Sequence, residues 1–418
     1  MGANMIQISG GVTHPHGFRA SGVASGIKRS LRPDLALLFT DRPAAAAGIF
    51  TTNRVRAAPV EMCAERLSHD PGRIHGAVVV SGVANALTGP AGRADQEEVT
   101  RAAAELLGVP PESLLPAATG VIGPRIPVEK VRRALPEAVR QLASDREGSS
   151  HAAHAILTTD TGPKEAATTV RLADGTRVRV GGMAKGSGMI APAMGPLHAT
   201  TLGFVTTDAR VTPAGLERLL TREGDRTFNM ICVDGDTSTN DTLLAFSNGA
   251  AGGPVADDDP ALGTAVGQIL ESLARAVAKD GEGATKLLTI RVRGASDSEH
   301  ARRAAKAVAR STLVKTALFG ADPNVGRIAC ALGYSGADFA VEHLNVSLVE
   351  GARNLPLIVG GIPAPGLDNG GGQRIHAVLQ RQEEVTLDVD LGSGPAGAVA
   401  WGCDLSYGYV HINAAYRT

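Results

Sequence analysis

Residues 170–190 read VRLADGTRVRVGGMAKGSGMI. Val170 and Leu172 stand before Asp174-Gly175, and Val178 and Val180 after it. That pattern spells a strand, a tight turn and a returning strand. The hairpin then runs into glycines set around one lysine, Lys185. The same period-two alternation returns further on. Leu288, Ile290 and Val292 alternate with Thr289, Arg291 and Arg293, and Val385, Leu387, Val389 and Leu391 alternate with Thr386, Asp388 and Asp390. Such alternation puts one face of a strand on a core and the other in water, and predicts antiparallel sheets covered on one face.

Between the strands the period changes to that of helices. Asp95 and Glu98 have capping-box spacing ahead of Val99, Ala102, Ala103 and Leu106, with Gly108 as the stop. Leu262, Val266, Ile269, Leu273 and Val277 mark a longer helix. Ser296 and Glu299 are expected to cap a third, whose stripe is Ala301, Ala304, Ala305 and Val308. The fold class is therefore α+β, with layered sheets flanked by helices. A domain change is expected near Gly294, giving residues 1–293 and a smaller unit, 294–418. Asn248 to Pro254, Asp257 to Asp259 and Gly360 to Gly372 read as loops.

Composition narrows the function. Lys+Arg total 41 and Asp+Glu 42, so the net charge of -1 makes no case for a nucleic-acid or polybasic membrane footprint. Aromatic residues are only 3%, so the core is aliphatic. The four cysteines, Cys63, Cys232, Cys330 and Cys403, have no paired spacing and are expected to be buried thiols rather than zinc ligands or disulfides. No signal peptide, myristoylation pattern or membrane-length apolar run is visible, which points to the cytoplasm.

Three segments carry chemistry-bearing residues. Around Lys185 the glycines hint at a phosphate cradle, but the P-loop spacing is absent and a plain glycine turn reads better. Asp234 to Asp241 resembles a calcium loop, yet Thr239 and Ala245 stand where the EF-hand needs glycine and glutamate. A turn bonded to its own backbone is the simpler reading, and no metal site is expected. In Ala117-Ala118-Thr119-Gly120-Val121-Ile122-Gly123, glycine lets the backbone approach a ligand, and exposed N–H groups there can stabilise an oxyanion. His14, His16 and His198 lack ligand spacing.

Read in order, the chain resembles the ornithine acetyltransferase family, also called bifunctional glutamate N-acetyltransferases. The resemblance rests on Gly10 to Thr13, Gly17 to Gly22, Gly48 to Asn53, Thr119 to Gly123, Thr158 to Thr161 and the Lys185 segment. It continues through Asp234 to Asp241, Lys315 to Arg327 (KTALFGADPNVGR), Trp401 to Asp404 and Ile412 to Thr418.

The resemblance implies an N-terminal-nucleophile-like, self-processing acyltransferase. The backbone would break between Ala199 and Thr200, leaving Thr200 as the nucleophile with its own amine as base. A threonine hydroxyl needs such a base, and an α-amino group titrates near pH 8, leaving a useful neutral fraction. By the same resemblance Thr119 and Gly120 form the oxyanion hole, and Thr158, Lys185, Glu282, Asn413 and Thr418 join Thr200 in binding substrate. Lys185 and Glu282 offer an amino acid one charge of each sign. The implied reaction moves acetyl from N2-acetylornithine to glutamate through an acyl-Thr200 ester, with no cofactor and with acetyl-CoA as an alternative donor in some members. The implied partners are amino-acid substrates and the cleaved α and β chains, assembled as a heterotetramer or larger. Neither nucleic acid nor membrane is implied.

The sequence departs from the family pattern at three places. Val80 and Val83 replace polar residues in Val80 to Asn85, Gly195-Pro196-Leu197-His198 lengthens the segment before the cleavage bond, and Ala415 stands where an acid is usual. These changes leave open a related amidase or aminopeptidase, an acyltransferase for another N-acyl amino acid, or a non-catalytic binding homologue.

Overall fold

A computed structural model describes residues 10–192, 194–195 and 201–415. The strands are β1 (Phe18–Val23), β2 (Leu35–Thr51), β3 (Ile74–Val83), β4 (Leu114–Val121), β5 (Lys164–Arg171), β6 (Arg177–Lys185), β7 (Met194–Gly195), β8 (Leu202–Thr207), β9 (Ile231–Cys232) and β10 (Thr242–Ser247). They continue as β11 (Leu287–Ala295), β12 (Asn345–Glu350), β13 (Arg353–Val359), β14 (Ile362–Pro363), β15 (Glu384–Asp390) and β16 (Ala396–Cys403). The helices are α1 (Ala58–His69), α2 (Gly89–Leu107), α3 (Val128–Arg140), α4 (Arg146–Ala155), α5 (Pro213–Arg226) and α6 (Pro260–Lys279). After them come α7 (Ser298–Arg310), α8 (Thr312–Phe319), α9 (Val325–Gly333), α10 (Gly372–Arg381) and α11 (Tyr407–Ala415).

The first sheet runs β4-β3-β2-β10-β8-β6-β5, with β1 and β7 also on β2. Its shape is set by β2, which is unusually long. Asp41, Arg42 and Pro43 in its middle are exposed, and its register against β3 slips between Phe39 and Ala44. Proline cannot donate to a ladder, so pairing is interrupted there. The first half of β2 pairs with β1 and β3, and the second half with β10.

The two halves face one another across a shared core. Leu38, Ala77, Val79 and Leu115 from one half pack in a single cluster with Phe204, Leu244 and Phe246 from the other. Alternation sends the neighbouring residues outward. Leu37, Val78 and Val80 meet α2 and α3, while Val180, Val205 and Leu243 meet α5 and α6. The result is helix, sheet, sheet, helix. Beyond α6 lies the second sheet, β14-β13-β12-β15-β11-β16-β9, whose Ile290, Val389 and Ala400 join the same core as α6 and α7. The fold is α+β with layered sheets and flanking helices.

Several local expectations need correction. The sheets are mixed, because β3–β4, β8–β10, β11–β15 and β9–β16 are parallel pairs. Helix α2 begins at Gly89, six residues before Asp95, with a proline in its first turn. Asp95 instead accepts both Nε and Nη2 of Arg125, each at 2.6 Å. Helix α7 is capped by Asp297, not Ser296. Cys330 is exposed, while the other three cysteines are buried free thiols. Residues 360–372 hold β14 and a π-helical turn at Leu367–Gly371. Asp259 is the N-cap of α6, accepting from Ala261 and Leu262. No helix among the described residues is long and apolar enough to cross a membrane.

Candidate active site

Lys185 ends β6 and is buried, at 6% exposure. Its Nζ donates to Thr158 Oγ1 at 2.8 Å and to Thr119 Oγ1 at 3.3 Å. Two segments far apart in sequence thus meet on one ammonium. Thr119 lies on β4, and Gly120 beside it has φ 134°, a region where side chains are strained. A Cβ at Gly120 would collide with the Gly82 backbone, so the close β3–β4 approach requires glycine there. Asn240 steadies this strand by donating to Ala118 O at 2.9 Å and Ala84 O at 2.5 Å.

A buried charge network holds the lysine. Asp160 lies 3.8 Å from Lys185 Nζ, and accepts Lys164 Nζ at 2.7 Å, Gly186 N–H at 2.7 Å and Thr158 N–H at 3.1 Å. Lys164 also donates to Asp280 at 2.6 Å. Burial alone would raise the Asp160 carboxyl, but Lys185 and Lys164 outweigh it and hold it well below the usual carboxylate range. Lys185 is also lowered, but by burial, which Asp160 only partly offsets.

Glu282 follows α6 and is 7% exposed, which a solvated-loop reading of Gly281-Glu282-Gly283 does not foresee. Its N–H donates to Ser187 O at 3.0 Å, and its carboxylate packs so tightly on Gly188 that no Cβ would fit there. Asn413, on α11, donates to Glu282 Oε2 at 2.8 Å. The glycines after Lys185 therefore let the backbone pass between a lysine and a glutamate. At their far end Asp234 accepts the N–H groups of Met189 and Ile190 at 2.6 and 2.9 Å, so the Asp234–Asp241 segment braces this loop.

Thr119, Gly120, Thr158, Lys185, Glu282 and Asn413 are thus assembled around one backbone segment. Ala199, Thr200 and Thr418 lie outside the described residues, as do Pro196, Leu197 and His198. Thr201 is fully buried, and Leu202 is the Cα partner of Lys185. Asp160, Lys164 and Asp280 form a charge network around Lys185 that residue-by-residue reading missed. Asp160 could have been suspected, since it sits inside the Thr158 to Thr161 motif; Lys164 and Asp280 gave no signal.

A cleft of 810 Å³ opens beside this cluster, lined by Thr158, Asp160, Val83, Val121 and residues of the Ile27–Arg32 loop and α11. Of the two valines that replace polar residues, Val83 lines the cleft and Val80 lies in the core under α2 and α3. Ala415 also lines it.

A layered α+β fold thus brings a buried lysine, a glycine-strained turn and a paired acid and amide together beside a cleft. Residues 19–418 match the model of the ArgJ family. The chain is 46% identical over 430 residues to the arginine biosynthesis bifunctional protein ArgJ of a Synechococcus species, covering 100% of both chains. It is 46% identical over 420 residues to the protein of that description from Symbiobacterium thermophilum, covering 99% of this chain and 100% of the relative. A solved structure of ornithine acetyltransferase complexed with ornithine, from Mycobacterium tuberculosis, is 43% identical over 45% of this chain and 97% of its own, with a TM-score of 0.42. The chain belongs to the ArgJ family.

Proposed function

We propose that the protein carries acetyl from N2-acetylornithine to glutamate by double displacement on Thr200, after cutting its own chain between Ala199 and Thr200. The observation that carries this reading is the register of β6 and β8. Lys185 stands opposite Leu202, two residues after Thr200. Leu202 is thereby placed beside the Lys185–Thr158–Thr119 cluster.

Self-cleavage begins with Thr200 Oγ attacking the Ala199 carbonyl, which passes acyl from nitrogen to oxygen. Water then hydrolyses the ester, leaving an Ala199 carboxylate and a free Thr200 amine. In catalysis that amine takes the Thr200 hydroxyl proton as Oγ attacks the N-acetyl carbonyl. The oxyanion forms against the Thr119–Gly120 turn, the amide C–N bond breaks, and the proton passes to departing ornithine. The glutamate amine then attacks the threonyl ester, and Thr200 regains its proton. Such preorganised donors supply a large share of acyl-transfer catalysis. Thr158, Lys185, Glu282, Asn413 and Thr418 bind the amino acid, Lys185 facing its carboxylate and Glu282 its ammonium. No cofactor enters these steps; an acetyl thioester such as acetyl-CoA would serve as donor by the same ester.

The two pieces would stay together after the cut. β8, from the second piece, pairs with β6, from the first, along Val180–Thr207 to Lys185–Leu202, and with β10 on its other side. The test is an assay of N-acetylglutamate formed from N2-acetylornithine and glutamate. Parallel double-reciprocal lines and an acetylated Thr200 peptide are expected. Release of free acetate in place of transfer would assign a hydrolase.

A further inference from the structure

One cleft must serve two substrates of opposite side-chain charge, because a double displacement uses a single site in turn. This inference rests on the reaction proposed above. Glu282 is a partner for the side-chain ammonium of ornithine. Glutamate brings a second carboxylate instead, and the buried cations of the site cannot take it. Lys185 already faces the first carboxylate in the reading above, and Lys164 is paired with both Asp160 and Asp280.

The Ile27–Arg32 loop supplies the missing charge. Lys28, Arg29 and Arg32 all line the active-site cleft, facing the wall that carries Thr158. Among the described residues, none of the three forms an ion pair, whereas Arg19, on the preceding strand, is paired with Asp41 at 2.5 Å. The nearest acid in the chain, Asp34, is fully buried and is consumed by the loop itself: it accepts the N–H groups of Ser25, Ile27 and Lys28 at 2.5, 2.7 and 3.0 Å. That clamp fixes the loop before any ligand arrives. Arg32 Nη2 reaches Thr158 O at 3.4 Å, which ties the loop to the residue that receives Lys185. Between the two arginines Leu31 turns the chain at φ 56°, an uncommon conformation for leucine, and is itself 74% exposed. Lys28 is spent on Pro33 O at 2.6 Å, and Arg32 gives Nε to Ser30 Oγ at 3.3 Å and one Nη2 hydrogen to Thr158 O, which leaves its other N–H groups and the Arg29 guanidinium for a ligand.

We propose that Arg29 and Arg32, backed by Lys28, form an anion subsite at the mouth of the cleft that takes the side-chain carboxylate of a dicarboxylic amino-acid acceptor. Guanidinium groups suit a carboxylate because their paired donors match its two oxygens. Phosphates of a thioester donor share this chemistry and are the alternative source of the anion.

The test uses the double variant Arg29→Gln/Arg32→Gln of the full-length enzyme. Both side chains are exposed, so folding should survive, which a thermal melt checks. Losing a charge-assisted hydrogen bond costs about tenfold or more in binding. The KM for glutamate should therefore rise about tenfold, while that for glutamine as acceptor stays within about threefold. A rise confined to the KM for acetyl-CoA would identify phosphate as the anion and overturn the carboxylate assignment; no change in any of them would overturn the subsite. Calorimetry of glutamate and glutamine binding to the unsubstituted enzyme decides the subsite without turnover, and equal affinities would reject it. Absence of N-acetylglutamate formation by the unsubstituted enzyme would refute the proposed reaction separately.

Discussion

Lys185 and Leu202 face one another across β6 and β8, so the strand that delivers the buried ammonium pairs with the strand that begins two residues after Thr200 in sequence. Thr158 and Thr119 both accept from that ammonium. Lys185→Met should therefore lower kcat/KM by about a hundredfold or more, as loss of a preorganised charge in an acyl-transfer site does. Its effect on Tm should be small, because Asp160 keeps Lys164 as a partner and a costly buried cation is removed. A variant with unchanged kcat/KM would show that Lys185 only holds the strands.

Asp160 should be the more structural member. Asp160→Asn leaves Lys164 and Lys185 without their shared anion, and breaking a buried pair costs about 3 kcal/mol or more. The sign with pH follows from the depressed carboxyl. A carboxylate lowered in the folded state contributes stability that is fully present above its unfolded pKa, about 4, and is lost as pH falls through the folded value. The Tm gap between the variant and the natural protein should be widest near neutral pH and close below about pH 4. A gap that does not narrow in acid would mean the loss comes from packing.

Gly120→Ala tests the turn at the oxyanion site. Both the positive φ and the Gly82 backbone oppose a side chain, and together they should cost at least about 2 kcal/mol. Gly123→Ala, also at positive φ but with open space around it, should cost about 1 kcal/mol. Thermal melts of the two variants compare them directly. Equal losses would show that the approach to Gly82 does not constrain the turn.

Asn413→Ala removes the amide that holds Glu282. KM for the amino-acid substrate should rise about threefold to tenfold with little change in Tm, since Asn413 is exposed. Deleting Arg417 and Thr418 should lower kcat/KM about tenfold or more if Thr418 binds substrate. Unchanged kinetics in both would remove the C-terminus from the site.

Local patterns were legible and distant contacts were not. The 170–180 hairpin and the strands at 288 and 385 could be read because a half-buried strand writes its two faces into alternate residues. Parallel pairing between β8 and β10 leaves no such mark, as both strands are wholly buried. Asp95 imitates a cap because its spacing to Glu98 is right, but Gly89 and a following proline start the helix earlier. Glu282 looked solvated because α11, which packs over Gly283, comes more than a hundred residues later. Lys164 and Asp280 are joined only by folding, 116 positions apart.

The residues that lengthen the segment before Thr200 bear on the central claim. Met194 and Gly195 pair with Thr51 and Phe50 of β2, so that segment is anchored at its start. Self-cleavage requires Oγ to be held against the preceding carbonyl, and small displacements slow such a step severely. Cleavage should therefore be slower than in relatives with the shorter segment, while still falling at the same bond.

Intact mass of freshly purified protein, followed over time beside Thr200→Ala, tests the account most directly. The prediction is two polypeptides meeting at Ala199–Thr200, formed progressively, with the variant remaining a single 42.8 kDa chain without transferase activity. A stable cut at another bond, or full acetyl transfer by Thr200→Ala, would contradict it.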